Sequence, residues 1–406
     1  MTNEVTQKTT SNEQNVSSSN GLEPKIRFAS YSENYTICNI EDIFDERSER
    51  GSKNLELLSV TMNDGVKKRI EIEGKDNSSE DKGNYKIVHV GDMVYNSMRM
   101  WQGANGISPY DGIVSPAYTV LKASKPLCNK YIAYQFKNSN LINKFRKNSQ
   151  GLTSDTWNLK YPQISTIKIY LPSLPEQQKI AVFLSLVDAR IEKQRQLVES
   201  LKKYKRGVIF HLFNKNNPIN KSIPMRDLLT EINDRDAAGL RVCSVAVVKG
   251  VVDQIEHLGR SFAASDTSKY RRVHFGDVVY TKSPTGDFPF GIVKQSKIKE
   301  DVAVSPLYGV YKPSSYSTGN LLHLYFEQYQ YANNYIRSLA QKGAKNTINI
   351  TTQHFLEKNI IFPYNEVDRV YFSNFFEELN KLIKFNDVEL EKAQFLKKGL
   401  LQQMFI

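Results

Sequence analysis

The sequence is written twice. Ile40, Asp42 and Ile43 recur as Met225, Asp227 and Leu228, and Leu58-Ser59-Val60 with Gly65-Val66 recurs as Cys243-Ser244-Val245 with Gly250-Val251, a shift of 185 residues. The clearest copy sets Tyr85 to Tyr95 against Tyr270 to Tyr280, with His89, Gly91 and Asp92 matched by His274, Gly276 and Asp277. The shift grows to 190 at Val114-Ser115-Pro116 and Val304-Ser305-Pro306, to 191 at Asn158 and Asn349, and to 192 at Gly207 and Gly399. An ordered series with a slowly growing offset is what duplication followed by small loop insertions leaves behind. Its period is too long for a solenoid, so the chain must fold as two large equivalent units.

Within each copy, short β-rich runs such as residues 86–95 and 167–171 alternate with Gly, Asn, Ser and Asp clusters, which predicts a mixed α/β unit. Each is followed by a long stretch of helical spacing with no Pro after its start. About 39 residues at 1.5 Å each make a rod of roughly 58 Å. These readings divide the chain into a flexible, Ser/Thr/Asn/Gln-rich leader (1–22), a first globular domain (23–174), a first long helix (175–213), a second domain (214–365) and a second long helix (366–406).

One face of the first helix carries Ile180, Leu184, Val187, Ile191, Gln194, Val198, Leu201, Lys205, Val208 and Leu212. Adding 192 gives Phe372, Phe376, Leu379, Ile383, Asn386, Leu390, Ala393, Lys397, Leu400 and Met404, with the same two polar interruptions. This is a coiled-coil seam. Parallel pairing in register would set Lys205 beside Lys397, whereas antiparallel pairing separates the lysines and lets Gln194 meet Asn386. The expected fold is therefore mixed α/β (α+β): two duplicated globular domains separated by two antiparallel coiled-coil helices, with a pseudo-twofold. Leu184, Ile191, Gln194 and Val198 are expected to pair with Phe376, Ile383, Asn386 and Leu390.

With 40% hydrophobic and 24% charged residues, the chain is neither disordered nor fibrous. Its 55 Lys and Arg against 43 Asp and Glu leave a net charge of +12, which favours a polyanionic partner. Cys38, Cys128 and Cys243 form no C-x-x-C pair and cannot all be bridged, so a reducing cytoplasm is the expected setting. No apolar run approaches the ~18 residues of a membrane span, and no signal peptide pattern opens the chain.

Catalytic signatures are missing. No phosphate-binding loop, dinucleotide fingerprint, zinc-protease motif or nucleophile elbow occurs. His89 and His274 stand alone between strand residues with no obvious partner, and Asp92 and Asp277 suit turn residues better than metal ligands. Asp287-Phe288-Pro289-Phe290 only faintly resembles an amino-methyltransferase motif, since Phe stands at its second position. No catalytic or metal site is expected.

The loops carry more. Arg99, Trp101, Gln102 and Asn105 follow the first Gly-Asp strand, and Lys282, Ser283 and Thr285 follow the second. Such side chains read base edges, wedge or stack. The glycine loop bearing Gln150, Thr153 and Ser154 has its counterpart in Lys342, Lys345 and Asn346, and both suit close approach to a phosphate backbone. Thirteen residues are thus candidates for DNA contact, and because the two sets differ, two unlike half-sites are expected.

The run from Leu171 to Ile180, with Leu174-Pro175 and Glu176-Gln177, opens a long helix after a glycine-bearing loop and a β-run. Together with the endings Lys205-Arg206-Gly207-Val208 and Lys397-Lys398-Gly399-Leu400, it resembles the specificity subunits of type I restriction-modification systems, over about residues 23–406. The resemblance implies two target-recognition domains reading an asymmetric bipartite site on double-stranded DNA, with the helices as a ruler. It also implies docking of two methylation subunits and of restriction subunits, for which Glu176 and Gln177 are the candidate contacts. No cofactor is expected on this chain; S-adenosylmethionine, ATP and Mg would belong to the partners. The second copy, Phe362 to Val370, lacks the Glu-Gln pair. Two other classes stay open: a methyltransferase or nuclease with diverged motifs, and a coiled-coil scaffold that does not bind DNA.

Overall fold

The computed structural model describes residues 23–406 except 52–53, 63, 236–238, 261–266, 283 and 343–347; the leader 1–22 lies outside the described residues. The chain is mixed α/β and divides into two units, one of residues 1–194 with 389–406 and one of residues 195–388. Each unit contains the start of one long helix and the end of the other.

Unit 1 is built on a four-stranded antiparallel sheet in the order Phe44–Glu46, Tyr118–Ala123, Met93–Asn96, Asn105–Ile107. Met93 sits between Leu121 and Ile107. Unit 2 repeats it as Leu229–Glu231, Gly309–Pro313, Val278–Tyr280, Val293–Gln295, with Val278 between Tyr311 and Gln295. The strand Thr36–Asn39 pairs with Lys168–Leu171 in unit 1 as Asn220–Pro224 pairs with Asn359–Pro363 in unit 2. The duplication is therefore one of strand register as well as of sequence.

The repeated Gly-Asp pair makes the turn into each central strand. Gly91 and Gly276 take φ of 92° and 91°, a left-handed conformation open to glycine at little cost. Asp92 and Asp277 then accept the backbone N–H of His89 and His274 at 2.9 and 2.8 Å, so both aspartates are turn residues. Neither histidine is alone: His89 Nδ1 lies 3.2 Å from Asp111 and His274 Nδ1 lies 2.8 Å from Asp301.

The long helices span Leu174–Leu212 and Glu366–Gln403. All twenty seam positions are buried or half-buried, as a periodic apolar stripe requires. In unit 1, Ile180 and Leu184 from the start of the first helix share a core with Leu401, Met404 and Phe405 from the end of the second. In unit 2, Phe376, Leu379 and Ile383 from the start of the second share a core with Ile209 and Leu212 from the end of the first. The helices are antiparallel within each unit. Lys205 and Lys397 accordingly meet carboxylates instead of each other, Glu327 at 3.1 Å and Asp188 at 2.6 Å. Among the other pairing candidates, Ile191, Val198 and Asn386 are buried, while Gln194 and Leu390 are half-buried; Asn386 also donates to Leu382 O at 2.8 Å. Among the described residues no helix is long and apolar enough to cross a membrane.

Candidate nucleic-acid interface

In unit 1 the structure brings two of the loops singled out in the sequence together. The strand Met93–Asn96 runs into a single helical turn, Met100–Gln102, which Gly103 closes with φ of 87°. Met100 is fully buried and pins the turn, while Arg99 stays exposed and Trp101 and Gln102 are half-buried. The helix Ser139–Asn148 delivers the second loop. Asn138 caps it through Oδ1 and ties it down by donating to Leu401 O at 2.7 Å.

A narrow hairpin follows, in which Gln150 and Asn158 exchange both backbone bonds, at 3.0 and 2.8 Å. Leu159 N then donates to Ser97 O at 2.9 Å, and Trp157 meets Trp101 edge to face with centroids 5.2 Å apart. The exposed polar side chains of Gln150, Thr153 and Ser154 thus lie on the same assembly as Arg99, with Arg146 and Lys147 exposed in the last helical turn before them. Asn105 differs: it is fully enclosed, and its side chain donates to Gly103 O at 3.1 Å, shaping the turn beneath the loop. Beside the hairpin, Arg50, Lys86, Asn158 and Lys160 line a cleft of about 230 Å³ together with Glu46. Lys86 pairs with Glu46 at 3.1 Å, and unit 2 repeats the pair as Arg271 and Glu231 at 3.3 Å.

In unit 2 the equivalent loop is chemically different. Lys282 is half-buried in a left-handed backbone conformation, φ 58°, unusual for a residue with a side chain, and desolvation lowers its pKa. Thr285 closes a turn with Phe288 through two backbone bonds of 3.0 Å. Phe288 and Phe290 pack against the core, so the segment Asp287 to Phe290 is structural. Lys342 belongs to a two-residue strand paired with Ile348–Asn349. Ser283, Lys345 and Asn346 lie outside the described residues.

The candidate docking pair is enclosed. Glu176, with no exposed surface, accepts from Arg27 Nε at 2.9 Å and Nη2 at 2.8 Å. Tyr35 OH lies 3.3 Å from the same carboxylate, and burial followed by that negative charge pushes the phenol pKa up. Gln177 donates to Pro172 O at 2.9 Å and accepts from Cys128 N at 3.2 Å. The second helix has no Glu-Gln pair, yet Arg369 fills the place of Gln177: it is buried, donates to Pro363 O at 2.8 Å and reaches Thr318 at 3.4 Å. Among the mostly polar residues exposed on the helices stand several apolar ones, including Val182 and Leu186 on the first and Tyr371, Phe385 and Phe395 on the second.

Three residues of this candidate interface had no motif to mark them: Trp157, Arg146 and Lys147. Only a tryptophan within a Ser/Thr-rich loop and two cations closing a helix hinted at them. Among the described residues, no three His, Cys, Asp or Glu side chains gather as a metal site would need.

Comparison with known proteins shows what this architecture of a repeated α/β unit and long antiparallel helices is similar to. Residues 32–203 match the family model for the type I restriction modification DNA specificity domain. The putative type I restriction enzyme MjaX specificity subunit of Methanocaldococcus jannaschii is 26% identical over 165 residues, which is 38% of this chain and 37% of that relative's length. The crystal structure of the type I restriction-modification S subunit from M. genitalium superposes with a TM-score of 0.57 at 14% identity, covering 95% of this chain and 99% of that one. A chain from a structure of type I restriction-modification complex assembly and conformational transition gives 0.54 at 12%, covering 90% and 96%. The family model thus covers the first globular domain and most of the first long helix, and the two solved structures share the fold of the whole chain.

Proposed function

We propose that this chain is the non-catalytic subunit that reads an asymmetric, bipartite site on double-stranded DNA, each unit reading one half-site, and that it docks two methylation subunits and restriction subunits. The observation that carries this reading is a scaffold repeated in strand register beneath loops that are not repeated: Arg99, Trp101 and Gln102 in unit 1 stand where unit 2 has Lys282 and Thr285. A protein built for a palindrome would repeat the reading side chains too. Net positive charge supplies sequence-independent affinity through counterion release, and the loops add base discrimination.

The apolar side chains exposed on the long helices, Leu186 and Phe395 among them, suit partner docking, since patches of this kind on a helix are covered in an assembly. Glu176, Gln177 and Arg369 contribute by fixing how each helix leaves its domain. S-adenosylmethionine, ATP and Mg belong to the partners in this reading, which places the work in the cytoplasm with the DNA. The test is single-molecule mapping of methylated adenines with and without the gene. One asymmetric, gapped motif should disappear on deletion; loss of a palindromic motif, or unchanged methylation in cells whose methylation subunits are active, overturns the proposal.

A further inference from the structure

The hairpin of unit 1 holds one side chain that its own fold does not use. Leu152 is 101% exposed, the most exposed of the large apolar residues described. Single exposed leucines are ordinary on a protein surface; what sets this one apart is the hydrogen-bonded turn that carries it. Thr156 N and Oγ1 donate to Thr153 O at 2.9 and 3.0 Å, and Thr153 N donates back to Thr156 Oγ1 at 3.1 Å. Gly151, with φ of 146°, lets the strands close: a Cβ there would stand 2.6 Å from Thr156 O. The Trp101–Trp157 contact braces the base of the hairpin. In this arrangement Leu152 stands clear of the domain among polar tips, with Arg146 and Lys147 exposed just before it.

An apolar tip on a braced loop, flanked by groups suited to phosphates, is the arrangement that lets a side chain enter a base step while cations hold the backbone. We propose that Leu152 is a wedge that inserts between adjacent base pairs of the half-site read by unit 1, unstacking that step and bending the duplex. This rests on the reading of unit 1 as a DNA-binding unit and adds how it deforms its target. Deformation makes the sequence of the wedged step matter through its stacking strength, even where no side chain bonds its base edges.

The test uses the full chain and a 40-base-pair duplex bearing the motif mapped by methylation, with 2-aminopurine placed at each half-site position in turn. Wild type should raise the fluorescence severalfold at one step. Leu152→Ala should bind about tenfold more weakly and lose that rise, and Leu152→Met should keep it. Because Leu152 touches no core, both variants should melt like wild type. Salt-dependent binding without a fluorescence rise at any step overturns the wedge and leaves the DNA-reading role standing; the same holds if the rise survives in Leu152→Ala. No binding of wild type to the duplex overturns both. If Leu152→Ala instead changes only the recovery of a bound protein subunit, the tip is a protein contact and the wedge is wrong.

Discussion

Lys205 and Glu327 meet at 3.1 Å, Nζ to Oε2, where the end of the first long helix crosses the domain helix Tyr316–Glu327. The other carboxylate oxygen faces Lys294 Nζ at 3.5 Å, and Lys294 is only 2% exposed. Burial pushes the Glu327 carboxyl up, but His323, Lys294 and Lys205 together outweigh it and hold its pKa at about 2. Glu327 is thus the group that makes a buried lysine tolerable. Glu327→Gln is expected to cost about 3 kcal/mol, because it leaves Lys294 uncompensated. Lys205→Met should cost about 1 kcal/mol or less, since Lys294 still faces the carboxylate. Urea unfolding measures both, and equal losses would show that the cluster does not work through Lys294.

The same cluster makes unit 2 sensitive to acid. Gln295 N donates to His323 Nδ1 at 3.1 Å, a bond that requires an unprotonated nitrogen. Desolvation, then Lys294, lower the His323 pKa from 6.5 to about 3. The native ring stays neutral while the unfolded chain takes up a proton, so this stability is complete above pH 6.5 and is lost as pH falls toward 3. Glu327 adds a loss of the same sign at lower pH, between 4.5 and about 2. Between pH 7 and 5 the loss from His323 should be at most about 2 kcal/mol. His323→Asn should flatten that interval; an unchanged slope in the variant would assign the loss to other groups.

Gln177 and Arg369 anchor the first turns of the two long helices to the chain just before each, through the carbonyls of Pro172 and Pro363. Arg369 also donates to Tyr364 O at 2.9 Å. Arg369→Ala should therefore cost more than Gln177→Ala, about 2–3 kcal/mol against about 1–2 kcal/mol, since more buried acceptors lose their donor. Arg369→Gln should recover part of the loss by restoring one donor to Pro363. Chemical denaturation of the three variants orders them, and a larger loss for Gln177→Ala would break the equivalence.

These anchors show what a sequence makes legible. The seam is plain because helical period converts directly into burial, and its twenty positions could be named without knowing any contact. Arg369 was hidden because the role repeats while the residue does not: a guanidinium and a carboxamide both donate to a proline carbonyl. Glu176 and Gln177 read as polar residues opening a helix, and spacing alone does not say that Arg27 and Cys128 close over them. Asn105 and Arg99 stand in one polar loop, yet Gly103 turns the chain between them and sends one inside. Trp157 carried no period at all, and its meaning comes from Trp101, more than fifty residues earlier in the chain.

Under the proposed function, Arg99 and Arg146 are expected to make two different kinds of DNA contact on unit 1. Arg146 is exposed in the last turn of the helix that leads into the hairpin, where a cation is well placed for a phosphate. Arg99 caps the turn that carries Trp101 and Gln102, beside the braced hairpin. Arg146→Ala is expected to weaken binding to every duplex alike and to lower the slope of log affinity against log salt by about 0.9, one phosphate's worth of counterions. Arg99→Ala is expected to cost about 1–3 kcal/mol on the mapped site, much less on unrelated duplex, and to relax preference at one position. Fluorescence anisotropy at several salt concentrations, on the mapped duplex and on a scrambled one, distinguishes them. Equal effects of Arg99→Ala on both duplexes would make Arg99 a backbone contact and move base reading in unit 1 to Gln102 and the hairpin.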